Sequence, residues 1–298
     1  MLASARYSPT TEFLLSLKAY LDTTSHKMLD IGSGWPRQVA KRLPGDFDRG
    51  ILAEVGMAYG LIDKCPTGDD PQAFIGWLRD IPLVELYELV HSIIQDPARF
   101  PPDLISVRDR YVKALQIWYD SYFSAVHPAI HEALRESART AAVLTGSLPP
   151  QAAIEEITGG IIMEPDQEIR EVRLIPQYHY RPFNIFDLSG QTLMIAYPAD
   201  LPRSPGAVPP DLRNLIRALD DESRLQILRY LAGGERNFTE IVKFIGLAKS
   251  TVHHHLVILR VSGLIRVHTK RTVAERYSLR PAAIDSFGPR LHAFLREE

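Results

Sequence analysis

The stretch Ser250-Thr251-Val252-His253-His254-His255-Leu256, inside residues 211–279, decides how the chain is read. On a helix turning about 100° per residue, Leu256 and Leu259 fall near Val252, whereas Ser250, His254 and Val257 point away and Thr251 and His253 flank them. The pattern predicts a helix from near Lys249 to Val261, stopped by Ser262-Gly263. Upstream, Leu212, Leu215, Ile216 and Leu219 recur at helical spacing and lead into the run Arg224 to Leu231, closed by Gly233-Gly234. A short segment, Thr239 to Phe244, then meets Gly246-Leu247. Two short helices joined by a tight Gly-containing turn set the second helix into the major groove of duplex DNA, so the spacing predicts a helix-turn-helix.

Beyond Gly263 the period changes from helical to alternating: Ile265 and Val267 face one way, Arg266 and His268 the other. A polar turn at Thr269-Lys270-Arg271-Thr272 returns the chain along Val273 to Leu279, which predicts a β-hairpin, and a hairpin directly after a recognition helix is a wing. Three segments then stand in a telling order: residues 218–228 (ALDDESRLQIL), the run 250–256, and Ser262-Gly263-Leu264-Ile265. In order and spacing they resemble the ArsR-type winged helix of bacterial transcriptional regulators. The long N-terminal part lies outside the resemblance and reads as an extension.

Whole-chain charge is -2, but it is unevenly spread. Residues 211–298 hold 15 Lys+Arg and 10 Asp+Glu, whereas residues 1–210 hold 19 and 26. Between Ile241 and Arg280 there are 8 basic residues and one acidic residue, Glu275. A polyanion is drawn to such a segment, because Lys and Arg that neutralise phosphates release condensed counterions. A charge run alone is usually a solvated face; here it coincides with the recognition helix and the wing.

A hydrophobic content of 45% and a charged content of 23% are those of a soluble globular protein, and 298 residues suffice for two domains. No apolar run approaches the roughly 18 to 20 residues of a membrane span. The first twenty residues, with Glu12 and Lys18 among them, lack a signal-peptide layout, so a cytoplasmic protein is expected. Cys65, the only cysteine, has no internal partner, which fits a reducing compartment.

The expected fold is mainly α with small β. Residues 1–200 are predicted to form a helical N-terminal domain with a few antiparallel strands, 201–210 a Pro-rich linker, and 211–298 a winged helix-turn-helix. Ser8 as N-cap and Pro9 at the first position open a helix with Phe13, Leu14, Leu17 and Leu21 on one face. Helices broken at Pro66, Pro71, Pro82, Pro97, Pro101 and Pro102 follow, the clearest beginning near Asp103 with Leu104, Val107, Tyr111, Leu115, Trp118 and Tyr122 as a core stripe. A short helix at 150–157 precedes Gly159-Gly160 and strand-like runs at Ile161–Met163, Val172–Tyr180, Phe183–Phe186 and Leu193–Tyr197. The aromatics Tyr178 and Tyr180 beside Arg181 suit half-buried strands as well as a pocket.

Two motifs outside the winged helix point to other chemistry. Leu29-Asp30-Ile31-Gly32-Ser33-Gly34 looks like the first motif of class I methyltransferases, where S-adenosylmethionine meets glycines at the end of a strand. Few apolar residues precede it, Pro36 stands where a third Gly is usual, and no βαβ alternation follows, so Trp35 to Leu43 is read as a second helix after a Gly-rich turn. His127 and His131 are spaced to share a metal, but Pro128 lies between them and the H-E-x-x-H order is absent; they read as surface or partly buried histidines.

For DNA, base or adjacent phosphate contacts are assigned to Ser250, Thr251, His253 and His254, because residues near the start of a recognition helix reach base edges. Phosphate contacts go to Lys249, Lys270 and Arg271, with Arg260 and Arg266 weaker, and His255 is read as structural. The resemblance implies a repressor acting as a homodimer built from a helix before and a helix after the winged core. Leu212–Leu219 and Ile284–Leu295, the latter with Phe287, Leu291 and Leu295 on one stripe, match those helices. It also implies a palindromic operator. The family's C-x-C thiolate site falls on Asn237 and Thr239, and the last helix offers Asp285 and His292 without a metal-site spacing, so no metal or cofactor is expected. Ala248 replaces the family's usual Ser at the helix start, which weakens that N-cap. Input is expected at the N-terminal domain, from a small molecule or a protein partner. Two alternatives stand beside the regulator: a methyltransferase with a DNA-binding tail, and a winged helix that binds protein.

Overall fold

The structure is a computed structural model and describes residues 1–51, 59–66, 69–94, 100–201 and 206–296. The chain forms two compact units, one of Ser4–Ala142 and Glu171–Asp200, the other of Met1–Ala3, Val143–Arg170 and Leu201–Glu298.

β1 (Leu2–Ala5) leads into α1 (Pro9–Leu21), where Ser8 Oγ accepts the Thr11 N–H at 3.1 Å and Pro9 takes the first position. The turn around Gly32 is followed by α2 (Trp35–Ala40). Residues 28–34 contain no strand, so the strand-turn-helix setting that the Leu29–Gly34 motif requires is missing. After a 3-10 turn at Arg49–Ile51 come α3 (Pro71–Asp80), α4 (Leu83–Ile93), α5 (Leu104–Ser121) and α6 (Pro128–Ser147). Asp70 and Asp103 cap α3 and α5 through the Ala73 and Ser106 N–H groups. The expected break at Pro97 lies outside the described residues. Tyr111, Leu115 and Trp118 are buried with Phe13, Leu14 and Leu17, and the Trp118 indole donates to Ser16 Oγ at 2.9 Å.

One polar chain runs through this core. The Glu12 carboxylate is fully buried and accepts from the Tyr178 and His179 N–H groups at 3.0 and 3.2 Å and from His179 Nδ1. His179 Nε2 pairs with Tyr122 Oη at 2.7 Å, and Trp35 donates to the same oxygen at 2.9 Å. A buried carboxylate is tolerated only when donors surround it, and here they tie α1 to residues 178 and 179. Of the spaced histidines, His131 pairs through Nδ1 with Tyr7 Oη at 2.7 Å, and His127 Nδ1 accepts the Ala129 N–H at 3.2 Å.

Past α7 (Pro150–Thr158) and β2 (Ile161–Met163), which belong to the second unit, the chain returns with β3 (Glu171–Gln177), β4 (Ile185–Ser189) and β5 (Thr192–Pro198). The sheet order is β1-β3-β5-β4. The strands were expected to be antiparallel; only the β4–β5 hairpin, turned at Gly190 (φ 57°), is shown to be so. β3 and β5 are parallel, with Val172 opposite Leu193 and Leu174 opposite Ile195. The reason is that β5 inserts between its hairpin partner and β3, which buries both faces of its apolar run.

The second unit adds α8 (Pro210–Leu219), α9 (Glu222–Ala232), α10 (Phe238–Ile245), α11 (Lys249–Val261), β6 (Ile265–Lys270), β7 (Val273–Leu279), α12 (Pro281–Asp285) and α13 (Phe287–Leu295). Of the Pro-rich stretch 201–210, residues 202–205 lie outside the described ones. The core joins Leu215, Ile227, Leu231, Ile241, Val252, Leu256 and Leu259. β6 and β7 form the expected hairpin, with Ile265 opposite Leu279.

This unit is larger than residues 211–298, because Val143–Arg170 joins it. β2 pairs parallel with β6, Ile161 opposite Val267 and Met163 opposite Thr269, giving the order β2-β6-β7. Gly160 makes this approach possible. At its φ of 126° a Cβ would stand 2.7 Å from the Ile265 carbonyl oxygen, while its own carbonyl accepts the Val267 N–H at 2.8 Å. Among the described residues no helix is long and apolar enough to cross a membrane.

Candidate nucleic-acid interface

The second helix of the helix-turn-helix is positioned by the first. Asn237 caps α10, its Oδ1 accepting the Glu240 N–H at 3.0 Å while Glu240 Oε2 accepts the Asn237 N–H at 2.7 Å. This reciprocal capping box uses a position at which the thiolate type of site would need cysteine. Gly246, at φ 72°, ends α10, and Leu247-Ala248 deliver the chain into α11. On the outer side Tyr230 of α9 stacks on Phe244 of α10, ring centroids 4.0 Å apart and 2° from parallel, and the Arg236 guanidinium lies 4.7 Å over Tyr230.

α11 begins at Lys249 with no side-chain cap at Ala248, which leaves its first N–H groups open to an anion. Lys249, Ser250, Thr251, His253 and His254 are exposed, whereas Val252, His255, Leu256 and Leu259 are buried. The polar row and the apolar ridge thus lie on opposite sides of one helix. Val257, placed outward by the 100° count, is half-buried. His255 Nδ1 has no hydrogen-bond partner and stands 3.9 Å from Asp221 Oδ1. Burial pulls the His255 pKa below its ordinary value, with the Asp221 charge opposing, so this ring is neutral at physiological pH.

The hairpin presents a different picture from its sequence. Lys270 is exposed, and Arg271 occupies the turn at φ 56°. The Arg271 guanidinium is already engaged: Nε donates to Asp166 Oδ2 at 2.8 Å and Nη2 contacts Glu168. Its hydrogen bond holds the Asp166 carboxyl below the usual range. Arg276 meets Glu164 at 2.7 Å and Glu235 at 2.9 Å, and Arg280 meets Glu156 at 2.9 Å. Of the two weaker phosphate candidates, Arg266 pairs with Glu155 at 2.7 Å, and half-buried Arg260 has its pKa lowered by burial. Neither is the open cation that a phosphate contact needs.

Reading the sequence missed residues 155–168, which hold five carboxylates and no Lys or Arg. The run is visible as composition, but its pairing with residues more than a hundred positions away is not.

The ArsR family of bacterial regulatory proteins matches residues 221–267. Over 59 residues, 20% of this chain, the sequence is 32% identical to the transcriptional repressor SdpR of Bacillus subtilis (strain 168), and the match spans 66% of that repressor's length. Among solved structures, a possible transcriptional regulatory protein (fragment 1-100) from Mycobacterium bovis is 26% identical, with 30% of this chain and 92% of that one covered and a TM-score of 0.24. Residues 221–267 are therefore an ArsR-family helix-turn-helix domain.

Proposed function

We propose that the protein is a sequence-specific, DNA-binding transcriptional regulator that acts as a repressor, with its input at the N-terminal unit. The observation that carries this reading is the exposed row Lys249, Ser250, Thr251, His253 and His254 at the start of a helix whose other side is locked into the core. Short polar side chains there reach base edges, while Lys249 and the uncapped N–H groups suit phosphates. Lys270 extends the contact from the hairpin, which serves as the wing. Arg271 joins it only by exchanging its carboxylate partners.

The functional form is a homodimer in this reading. α8 and α13 are tied by Arg290 and Asp211 at 3.1 Å, and Ile216 of α8, Leu225 of α9, Ile284 of α12 and Leu295 of α13 are exposed. A groove of about 280 Å³ beside them is lined by Leu215, Leu219, Leu228, Leu264, Leu279 and Phe287. A second copy covering these apolar surfaces gives a two-fold dimer and a palindromic site. The location that follows is the cytoplasm, where the DNA is.

Selecting bound fragments of the source genome with the purified chain, then measuring affinity against salt, tests the reading. A palindromic site whose affinity falls steeply with salt supports it. A flat salt response would instead favour a winged helix that binds protein, a reading to which the neutralised arginines of the hairpin lend weight. A ligand screen by thermal shift tests the N-terminal input.

A further inference from the structure

We infer that residues 155–168 are an electrostatic latch on the wing, holding its arginines away from phosphate until the segment is released. This rests on the DNA-binding reading above. The latch is built on β2, which adds a parallel strand to β6 and so carries its carboxylates onto the hairpin. Arg266 faces Glu155, Arg276 faces Glu164, Arg280 faces Glu156, and Arg271 at the turn is held by both Asp166 and Glu168. Lys270 is exposed, and its charge also helps to hold the Asp166 carboxyl below the usual range.

A guanidinium fork that is filled by two carboxylates cannot also grip a phosphate, since the same N–H groups make both contacts. The carboxylates add a like-charge repulsion toward an incoming backbone. The contacts are nonetheless exchangeable. Glu168 is 71% exposed and the Arg271 side chain 37%, so water and salt weaken the pair. The chain leaves the N-terminal unit after Ala142 and re-enters it at Glu171, so both ends of the latch are continuous with the unit assigned the input. A change there has a covalent route to the wing.

Fluorescence anisotropy with a labelled mixed-sequence duplex tests this on the full chain, at low and moderate salt. Six proteins are compared: wild type, Glu168→Gln and Asp166→Asn/Glu168→Gln, each with Arg271 present and with Arg271→Ala. Release of the latch is expected to tighten non-specific binding by about 3- to 10-fold at low salt. It is also expected to steepen the salt dependence, and both gains should vanish once Arg271 is alanine. Glu168→Gln alters a largely exposed carboxylate, so it yields a folded protein even where Asp166→Asn does not. Equal affinity of wild type and variants overturns the latch and leaves DNA binding standing. An equal gain with and without Arg271 also overturns it, as a bulk charge effect. No binding by any of the proteins overturns the DNA reading and the latch together.

Discussion

Arg224 Nε lies 2.8 Å from the carbonyl oxygen of Ala218, and the same guanidinium reaches the Arg217 carbonyl at 2.7 Å. These carbonyls end α8, where no further turn of helix supplies a donor, so a buried arginine from α9 caps the preceding helix. Arg224→Met is expected to lower the unfolding free energy by about 2–3 kcal/mol, and Arg224→Lys to recover part of it, because a lysine cannot reach two carbonyls with a planar fork. Urea unfolding followed by circular dichroism measures both. A loss within about 0.5 kcal/mol for the methionine variant would show the contacts to be incidental.

Gly160, directly before β2, lies against the start of β6. Its φ of 126° and the 2.7 Å approach to the Ile265 carbonyl leave no room for a methyl group. Gly160→Ala is expected to cost about 1–3 kcal/mol and to expose the N–H groups of Val267 and Glu164, which now bond across the two strands. Hydrogen exchange reads those two amides directly; unchanged protection would contradict the prediction.

His255 links stability to pH. Its folded pKa lies below the ordinary 6.5 because burial penalises the charged ring. The unfolded chain therefore takes up this proton first. The histidine's contribution is complete above pH 6.5 and is lost as pH falls from there toward the folded value, at up to about 1.4 kcal/mol per unit. Melting temperatures from pH 7 to 5 should fall less for His255→Gln than for wild type. Parallel curves would remove His255 from the account.

Asp187 works in the opposite sense. Burial raises its pKa from 3.8 to about 6, with Lys18 opposing. Here the folded state holds the proton more tightly, so the stabilising contribution is full below pH 3.8 and is lost as pH rises to about 6. A carboxyl carbon NMR titration should place the Asp187 midpoint near 6, and Asp187→Asn should flatten the stability profile between those limits. A midpoint near 4 would refute the burial argument.

At the proposed DNA interface the assigned roles separate by readout. His254→Ala should cost about 1–3 kcal/mol on the operator and relax the preference at particular base pairs. Lys270→Ala should weaken all duplexes alike and reduce the salt slope by about one. Binding to operator variants at several salt concentrations distinguishes the two. Uniform weakening by His254→Ala would reassign that side chain to the backbone.

What the sequence determined alone is local. Ser8-Pro9 started α1, the spacing of Val252, Leu256 and Leu259 set which side of α11 is buried, and the polar run Thr269 to Thr272 reversed the hairpin, though at Arg271-Thr272 only, with Thr269 and Lys270 in β6. Each depends on residues within a few positions of one another, where capping, helical period and turn chemistry act. Asn237, weighed only as a missing thiolate, had a legible capping signal in Glu240 three residues later.

Only the tertiary structure decided where β2 and β5 insert, and with them the charge of the hairpin. The basic excess between Ile241 and Arg280 is genuine as a count, yet four of its arginines meet carboxylates from residues 155–168. Strand order and ion pairs join residues far apart in the chain, and no period or motif records them. They arise because Gly160 lets two backbones meet, and because charges brought within a few ångströms interact whatever their distance in sequence.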